Sequence, residues 1–304
     1  MRLLITGSSG LLGSKITILA IDKGYDAYSG YNKHKAMHGT PIKLDICNKQ
    51  EVNKAFEKIK PQAIVHAAAL TNVDKCEEDT ELARKVNLEG TRNIVESSRH
   101  HDAFLVYVST DYVFSGEKGM YRETDKPNPI NHYGLTKLEA EKIVTASTVD
   151  WCIVRPSVIY GATPAAGKIN FALWVLNKLR KREPMKIITD QWVSPTLNTS
   201  LAEMILEIIE ENLTGVYHIA GATPLNRYNF AALIAEKFQL DETLIIPVKS
   251  NEMNWLAKRP KNTSLNVDKA YKKLKHNPIN IQEALNILKE EITITESKNG
   301  PSLS

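Results

Sequence analysis

Apolar residues in the first half of this chain fall into short continuous runs separated by longer stretches in which they recur every three or four positions. The short runs read as strands and the longer stretches as amphipathic helices. Arg2–Thr6 is a continuous strand, followed by a helix from about Gly10 to Lys23. Asp26–Gly30 and Pro41–Leu44 are strands, and Lys49–Ile59 is a helix. Ala63–His66 is a buried strand that runs into Ala67-Ala68-Ala69, and Leu82–His100 is one long helix. Phe104–Ser109, a helix over Leu135–Ser147 and the strand Trp151–Arg155 close the series. Strands without polar alternation, each followed by a helix, predict a parallel sheet covered on both faces. The expected fold is therefore α/β, a doubly wound parallel sheet of Rossmann type.

Beyond Arg155 the regularity fades. Gly161–Gly167 is a loop rich in Gly, Ala and Pro, Phe171–Arg182 a helix and Lys186–Thr189 a strand. A helix from about Leu197 to Glu211 and a strand at Val216–Ile219 come next, then helices over Tyr228–Phe238 and Ile281–Glu291. These patterns divide the chain into a sheet domain (1–155 plus about 186–222) and a smaller C-terminal substrate-binding lobe (about 156–185 and 223–295). Residues 296–304 are polar and read as a disordered tail.

The chain has 304 residues, 42% apolar and 24% charged, with a formal charge of +4 spread along it. This is an ordinary globular balance. The densest basic run, Lys178 to Arg182, lies on one helix face, so nucleic acid is not expected as a partner. Cys47, Cys76 and Cys152 are odd in number and lack metal-ligand spacing, which argues for a reducing compartment. No apolar stretch reaches membrane-spanning length, and Met1 leads directly into a strand. No membrane association is expected, and the location read from these features is cytoplasmic.

Thr6-Gly7-Ser8-Ser9-Gly10-Leu11-Leu12-Gly13 joins the first strand to the first helix. Glycine there permits a tight turn and close approach of backbone to a pyrophosphate, whose charge the helix N-terminus favours. The second strand ends at Tyr31 and leads into Asn32, Lys33, His34 and Lys35, with no carboxylate to hold a ribose hydroxyl. Those cations suit a 2′-phosphate, so NADP is expected ahead of NAD, although solvated loop lysines would look the same in sequence. Asp45 and Ile46, just past the third strand, are where a carboxylate and an apolar wall could hold adenine.

Ligands of open α/β sheets bind outside the carboxyl ends of the strands. Ala67, Ala68 and Ala69, Ser109 and Thr110, and Arg155 all fall at such ends. Tyr133 and Lys137 are one helical turn apart and share a face. Hydride transfer to a ketone leaves an alkoxide that needs a proton from a positioned acid. Tyr133 would supply it, Lys137 would lower the phenol's pKa and reach the nicotinamide ribose, and Thr110 would steady the carbonyl. His34, His38, His66, His100 and His101 have no acidic partner at ligand spacing, so no metal is expected.

Together the Thr6–Gly13 turn, Asp45, Ala67–Ala69, Ser109-Thr110 and Tyr133/Lys137 resemble the extended short-chain dehydrogenase/reductase superfamily. Within it, further stretches resemble the dTDP-4-dehydrorhamnose reductase family: His66 to Asp74, Val108 to Phe114, Tyr133-Gly134-Leu135-Thr136-Lys137, Asn170-Phe171, Asp190-Gln191 with Pro195-Thr196, and Arg259 to Asn262. The resemblance covers roughly residues 1–290 and implies NAD(P)H-dependent reduction of the 4-keto group of a dTDP-linked 6-deoxyhexose. It implies a catalytic triad of Thr110, Tyr133 and Lys137. Gly7, Gly10, Leu11, Leu12, Gly13, Asp45, Ile46, Ala67, Ala68, Ala69 and Lys137 would hold the cofactor, joined by Tyr31, Asn32, Lys33, Ser109 and Arg155 from the strand ends. Thr71, Val73, Val113, Phe114 and Arg259 would meet the nucleotide-sugar substrate, and a second copy of the chain is a possible partner.

The family often reads Thr-Ser-Trp where this chain has Pro156-Ser157-Val158, and Gly where it has Val193, which leaves the sugar open. Lys15 stands where some members carry an acid serving a metal between subunits, so no such metal is expected. Two other readings remain: another nucleotide-sugar enzyme of the superfamily, an epimerase or dehydratase, or a non-catalytic NADP-binding subunit like the regulatory partner of methionine adenosyltransferase. Asp111 follows Thr110 but no Glu follows it, which counts against dehydration.

Overall fold

In the computed structural model, which describes residues 1–166 and 168–299, six strands from the first half of the chain and one from the second form a seven-stranded parallel sheet. They are β1 (Arg2–Thr6), β2 (Asp26–Tyr31), β3 (Thr40–Lys43), β4 (Ala63–His66), β5 (Phe104–Val108), β6 (Trp151–Arg155) and the strand Gly215–His218. From one edge the order is Gly215–His218, β6, β5, β4, β1, β2, β3. After β3 the chain therefore returns to the other side of β1, and the winding direction reverses between β1 and β4. A crevice opens at the carboxyl ends of those two strands.

The central strands β1, β4 and β5 are almost continuously apolar because both faces are covered. Successive side chains point to opposite faces. Leu3 and Ile5 of β1, Val65 of β4 and Val106 of β5 join one core with Ile16 of α1 (Leu11–Asp22) and Ile205 of α8 (Asn198–Glu210). Their neighbours Leu4, Ile64 and Leu105 join the other, with Phe56 of α2 (Lys49–Ile59), Ile94 of α5 (Gly90–His100) and Ala140 of α6 (His132–Thr145).

A third core belongs to the small lobe. It joins α7 (Phe171–Arg180), α9 (Arg227–Phe238) and α11 (Ile281–Asn299) around Phe230, Ile234, Leu285 and Leu288. Here the structure departs from the boundary read near residue 186. Met185–Ile188 pairs in parallel with Ile245–Val248, away from the main sheet, and Met185 and Ile187 lie in this third core. The Ile245–Val248 strand, half exposed and interrupted by Pro247, was not legible in the sequence.

The helix read as Leu82–His100 is α4 (Thr80–Arg84) and α5 joined by a π-helical turn at Lys85–Glu89. Helix α3 (Val73–Glu78) was not foreseen. It is six residues long and begins where the Asn72 side chain accepts the Lys75 N–H at 3.0 Å. Helix α11 continues past the expected end at Glu291, so 296–299 are helical rather than a disordered tail, and Glu296 pairs with Arg180 at 2.6 Å. The remaining tail, 300–304, and Gly167 at the end of the expected 161–167 loop lie outside the described residues.

Leu285 is fully buried where α11 meets α9. Leu285→Ala should lower unfolding stability by about 2–5 kcal/mol in a urea titration; a loss under about 1 kcal/mol would show that this core is loosely packed.

Candidate functional site

Immediately after β1 the chain turns through Gly7, whose φ of +71° lies in the left-handed region. A Cβ at Gly7 would stand 2.8 Å from the Ala68 nitrogen, and one at Gly13 would stand 2.4 Å from the Gly7 carbonyl oxygen. Only glycine lets the turn, the first turn of α1 and the loop after β4 approach so closely. The turn is tied to β2 by the Ser8 N–H, which donates to the Gly30 carbonyl at 3.1 Å. Gly10 caps α1 without any side-chain hydrogen bond, and the first turn holds no acid. The first-turn amides of Leu11, Leu12 and Gly13 have no intrahelical acceptors, and the helix dipole adds positive potential. This cradle fits the pyrophosphate of a dinucleotide.

Tyr31 is half-buried at the end of β2, with Asn32 and Lys33 exposed beyond it. Parallel pairing sets Lys43 of β3 beside Tyr31. The Lys43 ammonium donates to the Asn32 carbonyl and, at 3.2 Å, to its side-chain oxygen, and lies 5.8 Å from the centre of the Tyr31 ring. Lys43 thus adds a cation that the sequence reading missed, its signal being the register of two short strands. Asp45 accepts the Cys47 N–H at 2.9 Å. Ile46 is buried, and a Cβ at Gly90 would come within 2.7 Å of it. Its side chain packs into the second core.

The Ala67–Ala69 loop is partly exposed and fixed from both sides. Thr6 Oγ1 is 2.8 Å from His66 Nδ1 and accepts the Ala68 N–H at 3.3 Å. Asn87, inside the π-helical turn, accepts the Leu70 N–H at 2.8 Å and donates to the Leu70 carbonyl and to Thr136 Oγ1, both at 3.1 Å. Asn87 therefore locks this loop to α6; a π turn leaves no periodicity signal in sequence. Burial, aided by Lys137, pulls the His66 pKa down to about 3, so the ring is neutral at any working pH.

Tyr133 and Lys137 both lie on α6, whose start is fixed by the Asn131 side chain accepting the Gly134 N–H at 2.9 Å. Thr110, Tyr133 and Lys137 are 6%, 9% and 2% exposed. The Lys137 ammonium donates to the Val108 carbonyl at 2.8 Å and rests 4.1 Å from the centre of the Tyr107 ring. Burial pulls its pKa down to about 7 against the opposing pull of Glu141. Burial pushes the Tyr133 phenol well above its usual value, and the nearby Thr110 hydroxyl offsets part of that rise. The expected lowering of the phenol by Lys137 is thus not what dominates here. Desolvation outweighs charge, and the ammonium is turned towards Val108.

Ser109 and Arg155 converge elsewhere. Ser109 Oγ donates to Glu141 Oε1 at 2.5 Å, and Arg155 grips the same carboxylate with Nε at 2.9 Å and Nη2 at 2.6 Å. Both side chains are committed to the buried Glu141 carboxylate. Val113 and Phe114 are fully buried, Phe114 stacked 4.2 Å from Tyr121. Apolar strand-end residues look alike in sequence whether they line a cleft or floor it.

Thr71 is exposed, with the Lys168 ammonium 3.4 Å from its hydroxyl, and Val73 begins α3 half-buried. Arg259 pairs with Asp74 at 2.8 Å and lies over the Trp255 ring, while its Nη1 is buried without a hydrogen-bond partner. Arg227, missed in the sequence, donates to Gln191 Oε1 at 3.2 Å and lies over Phe171. Beside Arg259 is a groove of about 880 Å³ lined in part by Trp192, Trp255, Lys258, Lys261 and Asn262. Val158 has φ +39°, a strained conformation for a β-branched residue, at the mouth of the β6 loop. Lys15 pairs with Glu291 at 2.9 Å. Among the described residues no cluster of His, Cys, Asp and Glu could hold a metal ion, and no helix is long and apolar enough to cross a membrane.

A family model described as "RmlD substrate binding domain" matches residues 1–294. The dTDP-4-dehydrorhamnose reductase of Aggregatibacter actinomycetemcomitans is 31% identical over 93% of this chain and 97% of its own. The structure of a dTDP-4-dehydrorhamnose reductase from Bacillus anthracis in complex with NADP superposes with a TM-score of 0.87. It is 31% identical over 95% of this chain and 99% of its own. Methionine adenosyltransferase 2 subunit beta of Danio rerio is 27% identical over 87% of this chain and 82% of its own.

The folded pKa of Lys137, about 7, lies below its ordinary 10.5. Between those values the unfolded chain binds more protons, so this group makes stability rise with pH, and its penalty is fully present below about pH 7. Lys137→Met removes the titrating group. In thermal melts the stability of wild type relative to the variant should therefore climb from about pH 7 to pH 10. A difference independent of pH would contradict the buried, depressed ammonium.

Proposed function

The chain belongs to the RmlD substrate-binding-domain family, and from that premise we propose that it is an NAD(P)H-dependent reductase of the 4-keto group of a nucleotide-linked 6-deoxyhexose. The substrate this reading favours is dTDP-4-dehydrorhamnose and the product dTDP-L-rhamnose. The observation that carries the reading is the convergence at one set of strand ends. A glycine turn built for pyrophosphate lies at the carboxyl end of β1, and a buried Tyr133–Lys137–Thr110 set lies beside β5.

NADP is preferred to NAD because β2 ends in Tyr31, Asn32 and Lys33 with Lys43 alongside, and with no acid at the strand end. When bound, the reduced nicotinamide supplies hydride to the carbonyl carbon. Tyr133, kept protonated by burial, gives a proton to the carbonyl oxygen, so charge does not build up in a water-poor site. In this reading Lys137 contributes positive potential near the phenol and would meet the nicotinamide ribose. Arg227 and the unpartnered Nη1 of Arg259 suit the substrate diphosphate, and the groove beside Trp255 suits its base.

A second reading, a cofactor-binding subunit without turnover, is favoured by the likeness to the methionine adenosyltransferase subunit. Retention of all three groups in one buried constellation supports catalysis. The test is NADPH oxidation with dTDP-4-dehydrorhamnose. Wild type should turn over, and Tyr133→Phe should bind NADPH yet lose at least about a hundredfold in kcat, the usual size of a general-acid contribution. Tight NADPH binding by wild type with no turnover of any nucleotide-linked keto-sugar would select the subunit reading.

A further inference from the structure

Next to Thr110 lies a carboxylate that the reduction just described does not use. Asp111 is 3% exposed and, among the described residues, forms no ion pair. Three hydroxyls from three parts of the chain converge on it instead. Thr110 Oγ1 donates to Oδ1 at 3.1 Å, while Ser157 Oγ at 2.8 Å and Thr263 Oγ1 at 2.5 Å donate to Oδ2. Thr110 follows β5, Ser157 follows β6 and Thr263 belongs to the segment after Arg259.

The directions of these bonds are set by further partners. Thr110 Oγ1 accepts the Tyr112 N–H at 3.2 Å, and Ser157 Oγ accepts the Ser194 N–H at 3.2 Å. A hydroxyl that accepts a backbone N–H on one lone pair keeps its single proton for another neighbour. For Ser157 and Thr110 that neighbour is Asp111. A carboxyl receiving three O–H groups is bound as an anion, since its protonated form would lose one acceptor and meet a competing donor.

Thr110 then has its proton on Asp111 and one lone pair on the Tyr112 N–H. In this arrangement it has no proton to offer a substrate carbonyl. We infer that Asp111 is a positioning residue, the resting acceptor of the Thr110 proton: it holds that hydroxyl in one orientation until substrate arrives. The inference rests on the reductase reading of this site. In the reduction, hydride from the nicotinamide and the phenol proton of Tyr133 go to the carbonyl carbon and oxygen. The Thr110 O–H then rotates from Asp111 to the new phenolate, with no proton leaving Thr110, and solvent later reprotonates the phenolate. Ser157 and Thr263 keep Asp111 hydrogen-bonded throughout.

The groups facing Asp111 are consistent with an anion under tension. Burial raises its carboxyl, and the three hydroxyls and the Arg227 charge from α9 oppose that. Tyr133 from α6 and Tyr112 on its own turn lie close by; Arg259 adds positive charge near Tyr112, and Cys76 of α3 lies against Tyr133.

The acid limb of the kcat profile should therefore report protonation of Asp111. Thr263→Val removes one donor and should move that limb up by about one pH unit, while Thr263→Ser keeps the hydroxyl and should leave it in place. Asp111→Asn should lower kcat by about tenfold to a hundredfold, leave the KM for NADPH unchanged and abolish the limb. In parallel, carbon-13 NMR of aspartate-labelled protein, with Asp111→Asn for assignment, should find this carboxyl ionised at neutral pH. Its titration should move upward in Thr263→Val. A limb that survives Asp111→Asn, a limb unmoved by Thr263→Val, or a carboxyl protonated at neutral pH would each overturn the inference. Failure of wild type to reduce any keto-sugar would overturn the reductase reading, and the carboxyl titration would still decide the state of Asp111.

Discussion

The Lys137 ammonium sits 2.8 Å from the Val108 carbonyl and over the Tyr107 ring, in a place from which water is excluded. A desolvated cation is tolerated only where fixed dipoles replace its hydration. The end of β5 supplies those dipoles, so the strand, α6 and the ring beneath must hold one relative position. The same exclusion of water keeps the Tyr133 phenol protonated. Burial thus makes both a structural demand on the sheet and an acid that can be used.

The rest of the site serves that placement. The Asn131 cap sets where α6 begins and therefore which residues face β5. Asn87 ties the Ala67–Leu70 loop to the same helix through Thr136. Under the crevice, Glu141 is one turn beyond Lys137 and is saturated by Ser109 and Arg155. Removing one member of such a buried pair leaves an uncompensated charge and is strongly destabilising, so Ser109 and Arg155 support the floor of the site.

Much of this was legible in the sequence because parallel strands covered on both faces leave an unmistakable signal. β1, α2, β4 and β6 run between the residues their apolar runs mark. The glycine turn was legible for a similar reason: close backbone approach leaves few alternatives to glycine. What stayed hidden depends on tertiary pairing. Lys43 gains meaning only from its register with Tyr31, Asn87 only from a π turn, and Arg227 only from the fold of the small lobe over the crevice. The strand Ile245–Val248 is short and half exposed, so its partner at Met185–Ile188 was placed with the wrong unit. Val113, Phe114 and Ile46 are buried, a property that an apolar strand-end residue does not reveal in sequence.

The central claim is that the Tyr133 phenol meets the sugar carbonyl oxygen beside the nicotinamide, over a buried Lys137. A crystal structure of the protein with NADP and the reduced nucleotide-sugar tests it most directly. The account predicts the Tyr133 hydroxyl within about 3 Å of the sugar 4-oxygen, with the Lys137 ammonium beneath it. A phenol facing away from both ligands, or a different side chain at that oxygen, would contradict it.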